Sequence, residues 1–145
     1  MHQTQKGRQW YFGMKGHFGV DSRSKLIHSV EVTPANIHDA HVLPWLLHGE
    51  ERSVWGDSAY AGQAAVLSVC APHARDFINR RAKTEESRAT NRWKSHVRAR
   101  VEHPIGVIKR IFGFTKVRYR GLRKNRHRLV VACALANLFM MRRRL

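Results

Sequence analysis

The chain has 145 residues, which suits one domain of ordinary size, and 43% of them are apolar, too many for a disordered tail. Lys and Arg number 27 against 10 Asp and Glu, a net charge of +17, which implies a polyanionic partner and puts nucleic acid first among them. The longest apolar run, Leu129 to Met141, is broken by Asn137 and falls short of the ~20 residues that a bilayer span needs, so no membrane partner is expected.

Met1 to Lys6 has no apolar stretch behind it and does not read as a signal peptide. From Trp10 to Val20 the residues alternate, with Trp10, Phe12, Met14, Phe18 and Val20 on one face and Tyr11, Lys15 and His17 on the other. That pattern predicts a strand with one buried face. A polar turn from Asp21 to Lys25 leads into a second strand, Leu26 to Val32, completing a hairpin. Thr33-Pro34-Ala35-Asn36 breaks the alternation, and Asn36 or Asp39 can cap a short helix carrying Val42, Leu43, Leu46 and Leu47, with Pro44 in its first turn.

Ser53 to Gly56 reads as a short strand that delivers Asp57 to its C-terminal end. A helix is expected over Ala61 to Cys70 and a last short strand at Asp76 to Ile78. Residues 79–92 are almost wholly polar and read as a loop or a frayed helix start. A long helix follows, from about Ala89 to Phe112, with Trp93, Val97, Val101, Ile105, Ile108 and Phe112 on one stripe and a bend at Pro104. After a basic link, Lys116 to Arg128, the run Leu129 to Met141 predicts a buried helix whose dipole end Arg142, Arg143 and Arg144 complement. The order is β-β-α-β-α-β-α-α, an α/β layered domain. It divides into 1–78 (hairpin, helix and the Asp57 strand), a polar loop at 79–92, and 93–145 (the Glu102 helix and the C-terminal helix). Cys70 and Cys133 stand far apart in apolar surroundings and read as two buried thiols, which fits a reducing cytoplasm.

Two carboxylates stand out. Asp57 lies in a small-residue turn at a strand's C-terminal end, where α/β sheets place their sites, although aspartates in such turns are most often caps. On a continuous helix Arg98, Glu102 and Lys109 share one arc beside the apolar stripe, putting Glu102 at the edge of the core, while Arg92, His96, Arg100, His103 and Arg110 form a basic ridge. Such i,i+4 neighbours are most often a solvated face. Arg118, Arg120, Arg123 and Lys124 form a further basic cluster suited to phosphate. His38 and His41 with Asp39 imitate a metal site, but a capping loop is the simpler reading. Trp10, Tyr11 and Trp55 read as strand core.

Together these segments resemble the insertion-sequence transposases of the IS-four/IS-five group. Arg98, Glu102 and Lys109 match three of the four positions of that family's C-terminal signature at its spacing, with Ser95 where the family has Tyr. Gly56-Asp57-Ser58-Ala59-Tyr60 resembles the family's second-aspartate motif, and MHQTQKGRQWYFGMKGHFGVDS, TPANIHDA, LLHGEE and FGFTKVRYRGL follow in the family's order. The resemblance implies a ribonuclease-H-like core, a mixed sheet with flanking helices. In it, three carboxylates hold two Mg²⁺ or Mn²⁺ ions for DNA cleavage and strand transfer. Asp57 and Glu102 map onto the second and third of these as catalytic and metal-binding residues. Arg98 and Lys109 map onto basic positions that contact phosphate or orient the Glu.

The first aspartate does not map. In the family it lies on the central strand, upstream of the position of Met1, and neither Asp21 nor Asp39 is placed to substitute. The reading is therefore a partial catalytic domain, lacking that strand and inactive alone. Its implied partners are transposon ends, target DNA and full-length copies of the transposase, in the bacterial cytoplasm at the nucleoid. The alternatives are a non-catalytic basic protein that keeps the fold and binds nucleic acid, and a structural RNA-binding protein, which has no need of Asp57 and Glu102 at these spacings.

Overall fold

The computed structural model describes residues 1–142. It contains five strands, β1 (His2–Lys6), β2 (Gln9–Val20), β3 (Ile27–Pro34), β4 (Ser53–Val54) and β5 (Arg75–Asp76). Five helices accompany them: α1 (Leu43–Leu46), α2 (Ala64–Cys70), α3 (Glu85–Arg98), α4 (Glu102–Arg110) and α5 (Leu122–Met141). The strands form two sheets, β1-β2-β3 antiparallel and β4-β5 parallel. The molecule is mixed α/β with flanking helices, as expected.

β1 was not anticipated, because its sequence is polar throughout. It forms because Gly7, at φ +63, sits at the first central position of a two-residue turn, the place a type II′ hairpin reserves for glycine. β1 pairs only with Gln9 to Gly13, the end of β2 that projects beyond the core. Trp10 and Phe12, expected inside, are therefore each 66% exposed.

Past Gly13, both faces of β2 are covered. Met14, Phe18 and Val20 pack into a cluster built on Ile27, Val32, Ile108, Leu129 and Cys133, beneath α4 and α5. On the opposite face Lys15 reaches Asp39 at 3.0 Å, and buried His17 bonds Thr33 Oγ1 at 2.8 Å. Gly19 admits α1 on this side: a Cβ there would lie 2.9 Å from the Leu46 carbonyl oxygen. A second, smaller cluster gathers Leu43, Val54, Leu67, Ala71 and Ile78 around the parallel pair. A 3₁₀ turn, Asp39–Val42, leads into α1; it is capped by His38, whose ring nitrogen accepts from the Ala40 amide, and not by Asn36 or Asp39, and α1 itself has no side-chain cap.

The polar loop at 79–92 needs correction, since α3 begins at Glu85. Thr84 and Ser87 close a capping box, and Glu85 and Glu86 favour the positive end of the helix dipole. No residue of α3 is buried, so its apolar stripe is not a core stripe. It is held instead by Asn79 and Lys94 side-chain bonds to Ser95 and the Ile78 carbonyl, and by Trp93 edge-on to the stacked Trp55 and Phe77.

The single helix expected from Ala89 to Phe112 is two helices separated by a 3₁₀ turn, Ala99–Val101. Pro104 has no N–H to give to the Arg100 carbonyl, so the break falls on the turn before it. α4 is followed by Gly113 in the left-handed region at φ +61, and the Phe114 amide returns to the Ile108 carbonyl. α5 starts seven residues before the apolar run and exposes one side, with Val131 and Leu138 each more than half accessible. It is thus half-buried and not enclosed. Arg142 stacks on Phe139 and donates to its carbonyl, while Arg143 and Arg144 lie outside the described residues.

Candidate nucleic-acid interface and carboxylate site

A cleft of about 590 Å³ separates the two sheets. Its walls are the end of β2 and the turn after it, α1, the β4 segment, and the junction of α3 with the 3₁₀ turn. Asp57 adjoins it through Gly56 and Tyr60, and Glu102 through Val101 and Arg98, all four of which line the cleft. The two carboxylates singled out from sequence thus follow two walls of one cleft.

Their environments differ. Asp57 is half-buried in extended backbone and caps the 3₁₀ turn Ser58–Tyr60, accepting from the Ala59 amide at 2.9 Å through Oδ1, which leaves Oδ2 uncommitted. The local reason is that β4 ends at Val54, Gly56 turns, and an aspartate caps well. Burial, with the charges of Asp39 and Asp57 nearby, pushes the Tyr60 hydroxyl up to about 12, so Tyr60 is a neutral donor at physiological pH. Glu102 opens α4 and is exposed, not at the edge of the core, because the 3₁₀ turn shifts the phase of the helix. It makes no ion pair among the described residues.

Of the other acids, Glu50 lines the cleft and makes no ion pair among the described residues, while two are committed. Asp39 is paired with Lys15, and Asp21 is held by Ser24, whose hydroxyl and amide keep its carboxyl below the usual range. Among the described residues no group of three His, Cys, Asp or Glu side chains gathers to hold a metal. Asp57 and Glu102 fit a hard divalent ion in kind, as oxygen donors, and are one short of the three carboxylates that the resemblance implies.

The cations fall into three sets. Arg98 is half-buried in the cleft wall, and Arg100 reaches from it to the Ser22 carbonyl at 3.3 Å. Lys109 and Arg110 end α4, both exposed. Arg118 and Arg120 stand on the loop between α4 and α5, and Arg123 and Lys124 occupy the first turn of α5, which holds no acid. Two cations at the positive end of a helix are unfavourable by a few tenths of a kcal/mol each, a cost that an anion at this end would offset.

Two residues essential to this surface escaped the sequence reading. Asn125 is fully buried and holds the basic loop with all of its amide: Nδ2 donates to the Tyr119 and Gly121 carbonyls, and Oδ1 accepts from the Arg118 and Tyr119 amides. Arg128, counted with the basic link, is a clamp: it donates to the Gly113 and Lys116 carbonyls and covers the Phe114 ring. A lone Asn within a run of cations was the available signal.

A mixed α/β domain with acids beside a cleft and unpaired cations on the adjoining helices has the makings of a protein that handles a polyanion. The family model described as "Transposase DDE domain" matches residues 1–138, and the chain belongs to that family. No solved structure matches it. Membership implies DNA transposition and a DNA substrate, and the family generally uses divalent metal ions. Among the described residues no helix is long and apolar enough to cross a membrane.

Proposed function

We propose that this chain carries part of the catalytic site for metal-dependent cleavage and strand transfer of transposon DNA, with Asp57 and Glu102 as two of its carboxylates. The observation that supports this best is that both adjoin one cleft, at the spacings of the family's motifs. A divalent ion held there, Mg²⁺ or Mn²⁺, would polarise the phosphodiester and lower the pKa of the attacking hydroxyl. Asp57 Oδ2 and the free Glu102 carboxylate are the donors for it. Tyr60 would donate a hydrogen bond beside Asp57, and Arg98 would neutralise phosphate at the cleft wall. Arg100, Lys109, Arg110, Arg118, Arg120, Arg123 and Lys124 would track the DNA backbone, which positions the duplex without reading its sequence.

In this reading the fold is ribonuclease-H-like, the cleft is the place of its central strand, and a third carboxylate has to join Asp57 and Glu102 before DNA is cut. The 145 residues alone are therefore expected to bind duplex DNA and to leave it uncut. The test incubates them with transposon-end DNA and Mn²⁺. Salt-sensitive binding with no nicking is the expected result. Nicking that vanishes in Asp57→Ala or Glu102→Ala would show that the site is already complete and overturn this part of the reading.

A further inference from the structure

We propose that Asn79 is a positioning residue for the carboxylate site: it fixes the Asp57 turn to the helical run that carries Glu102, and so sets how the two acids stand to one divalent ion. This rests on the shared-ion reading above and names the side chain that holds the two halves of the site in register.

The main chain of Asn79 belongs to the Asp57 side. Along the parallel pair every second amide bonds across: Arg75 to the Arg52 carbonyl, Phe77 to that of Val54, and Asn79 to that of Gly56 at 2.9 Å. This last rung ends one residue before Asp57. The side chain of Asn79 belongs to the Glu102 side, because its Nδ2 donates to Ser95 Oγ at 3.0 Å. Ser95 lies in the last turn of α3, and its carbonyl accepts from the Ala99 amide that opens the 3₁₀ turn. Glu102 follows directly after that turn. Two hydrogen bonds, both made by Asn79, thus join the two carboxylate-bearing segments.

Two other contacts cross the same boundary with more slack. Lys94 reaches the Ile78 carbonyl at 3.2 Å on a long, flexible stem. Trp93 meets Trp55 and Phe77 edge-on, a packing that tolerates a broad range of ring separations. A short amide bonded to a short hydroxyl is directional, and it fixes where along the strand end the helix sits.

The burial of Asn79 speaks for a role beyond packing. Asn79 is 9% exposed, and among the described residues its Oδ1 is the one buried side-chain oxygen or nitrogen without a hydrogen-bond partner. A buried carbonyl with no donor is a desolvation penalty that alanine at this position does not incur. Its neighbour Ile78 belongs to the apolar cluster around the parallel pair, so an apolar side chain suits this end of the strand. Asn79 weakens the fold at its own position, and what it gives in exchange is the register of α3 against the Asp57 turn.

The test uses the whole chain with Fe²⁺ as the probe. With ascorbate and peroxide, radicals formed at a bound ion cut the polypeptide beside it, and mass spectrometry locates the cuts. In Asn79→Ala and in Ser95→Ala, the Fe²⁺ concentration for half-maximal paired cutting near Asp57 and Glu102 is expected to rise by about tenfold or more, as when a group that orients a metal ligand is lost. Ser95→Thr keeps the hydroxyl and is expected to match the parent. Urea unfolding is followed on the same samples, where Asn79→Ala is expected to keep or exceed the parent midpoint, since the unpaired oxygen leaves with the amide. Unchanged paired cutting in Asn79→Ala, a Ser95→Thr as impaired as Ser95→Ala, or an Asn79→Ala midpoint that falls along with the cutting would each overturn the proposal. The parent separates the two readings. Without paired cuts in the parent the shared site falls and this proposal with it, whereas parent cuts with any of those three outcomes remove Asn79 alone.

Discussion

Arg118 and Arg120 test the basic surface most simply, because both are exposed, lack ion pairs among the described residues, and belong to no core. If each neutralises one phosphate, Arg118→Ala and Arg120→Ala should each weaken binding similarly across DNA sequences and reduce the slope of log affinity against log salt by about one. A fluorescence-anisotropy salt titration measures this; an unchanged slope in both variants would remove them from the interface. His17 gives a second test at this scale. Burial holds its imidazole below the ordinary 6.5; the charge of Asp39 opposes this and that of Lys15 adds to it. The unfolded chain therefore binds a proton that the folded chain resists, so stability is full above pH 6.5 and falls as pH drops below it. His28, lowered by burial and by the charge of His48, adds in the same direction. Urea midpoints should fall between pH 7.5 and 5.5 in the parent and fall less in His17→Gln. The two kinds of residue differ in how legible they were: exposed arginines announce themselves in a basic run, whereas His17 sits on the strand face assigned to solvent and is buried beside Thr33 of β3, with Asp39 nearby.

The helices and strands carry the next set of expectations. Asn125→Ala strips four hydrogen bonds from the loop that presents Arg118 and Arg120, leaving main-chain groups unpaired beside a fully buried side chain. A loss of at least ~2 kcal/mol in urea unfolding is expected, together with weakened DNA binding; a loss below ~0.5 kcal/mol would mean that water replaces the amide freely. Gly19→Ala drives a Cβ against the Leu46 carbonyl, main chain that a rotamer change cannot move, so α1 must lift at a cost of about 1–3 kcal/mol. Thermal melts of the folded variant decide it, with an unchanged midpoint as the contrary result. The hairpin β2-β3 and the strand ahead of Asp57 were legible because period-2 alternation and turn residues are local signals. β1 was not, since its pairing and not its composition makes it a strand. Only the first turn of α3 was hidden by its polarity: the helix starts at Glu85 because of a capping box, and it is held by Trp93 resting on Trp55 and Phe77, a contact between segments distant in sequence. The interruption after Arg98 was half-visible, as Pro104 marked a bend without showing that the phase of Glu102 would shift to an exposed position.

At the scale of the whole molecule, charge and motif spacing carried the family and its DNA substrate, because both are properties of the linear chain. How the carboxylates relate to one another was beyond the sequence, since it depends on how two separate sheets and a broken helix close around a gap. Asp57 and Glu102 each neighbour, in sequence, residues that line the cleft, and a net charge of +17 supplies the attraction that draws a polyanion toward it. The central claim is that these two carboxylates serve one divalent ion. Fe²⁺ in place of Mg²⁺, with ascorbate and peroxide, generates radicals that cut the polypeptide beside a bound ion, and the cut positions can be read by mass spectrometry. Expected are two cuts, one near Asp57 and one near Glu102, that compete with Mg²⁺ and disappear together in either Asp57→Asn or Glu102→Gln. Cuts at one position only, or two cuts that respond independently to the two substitutions, would contradict a shared site.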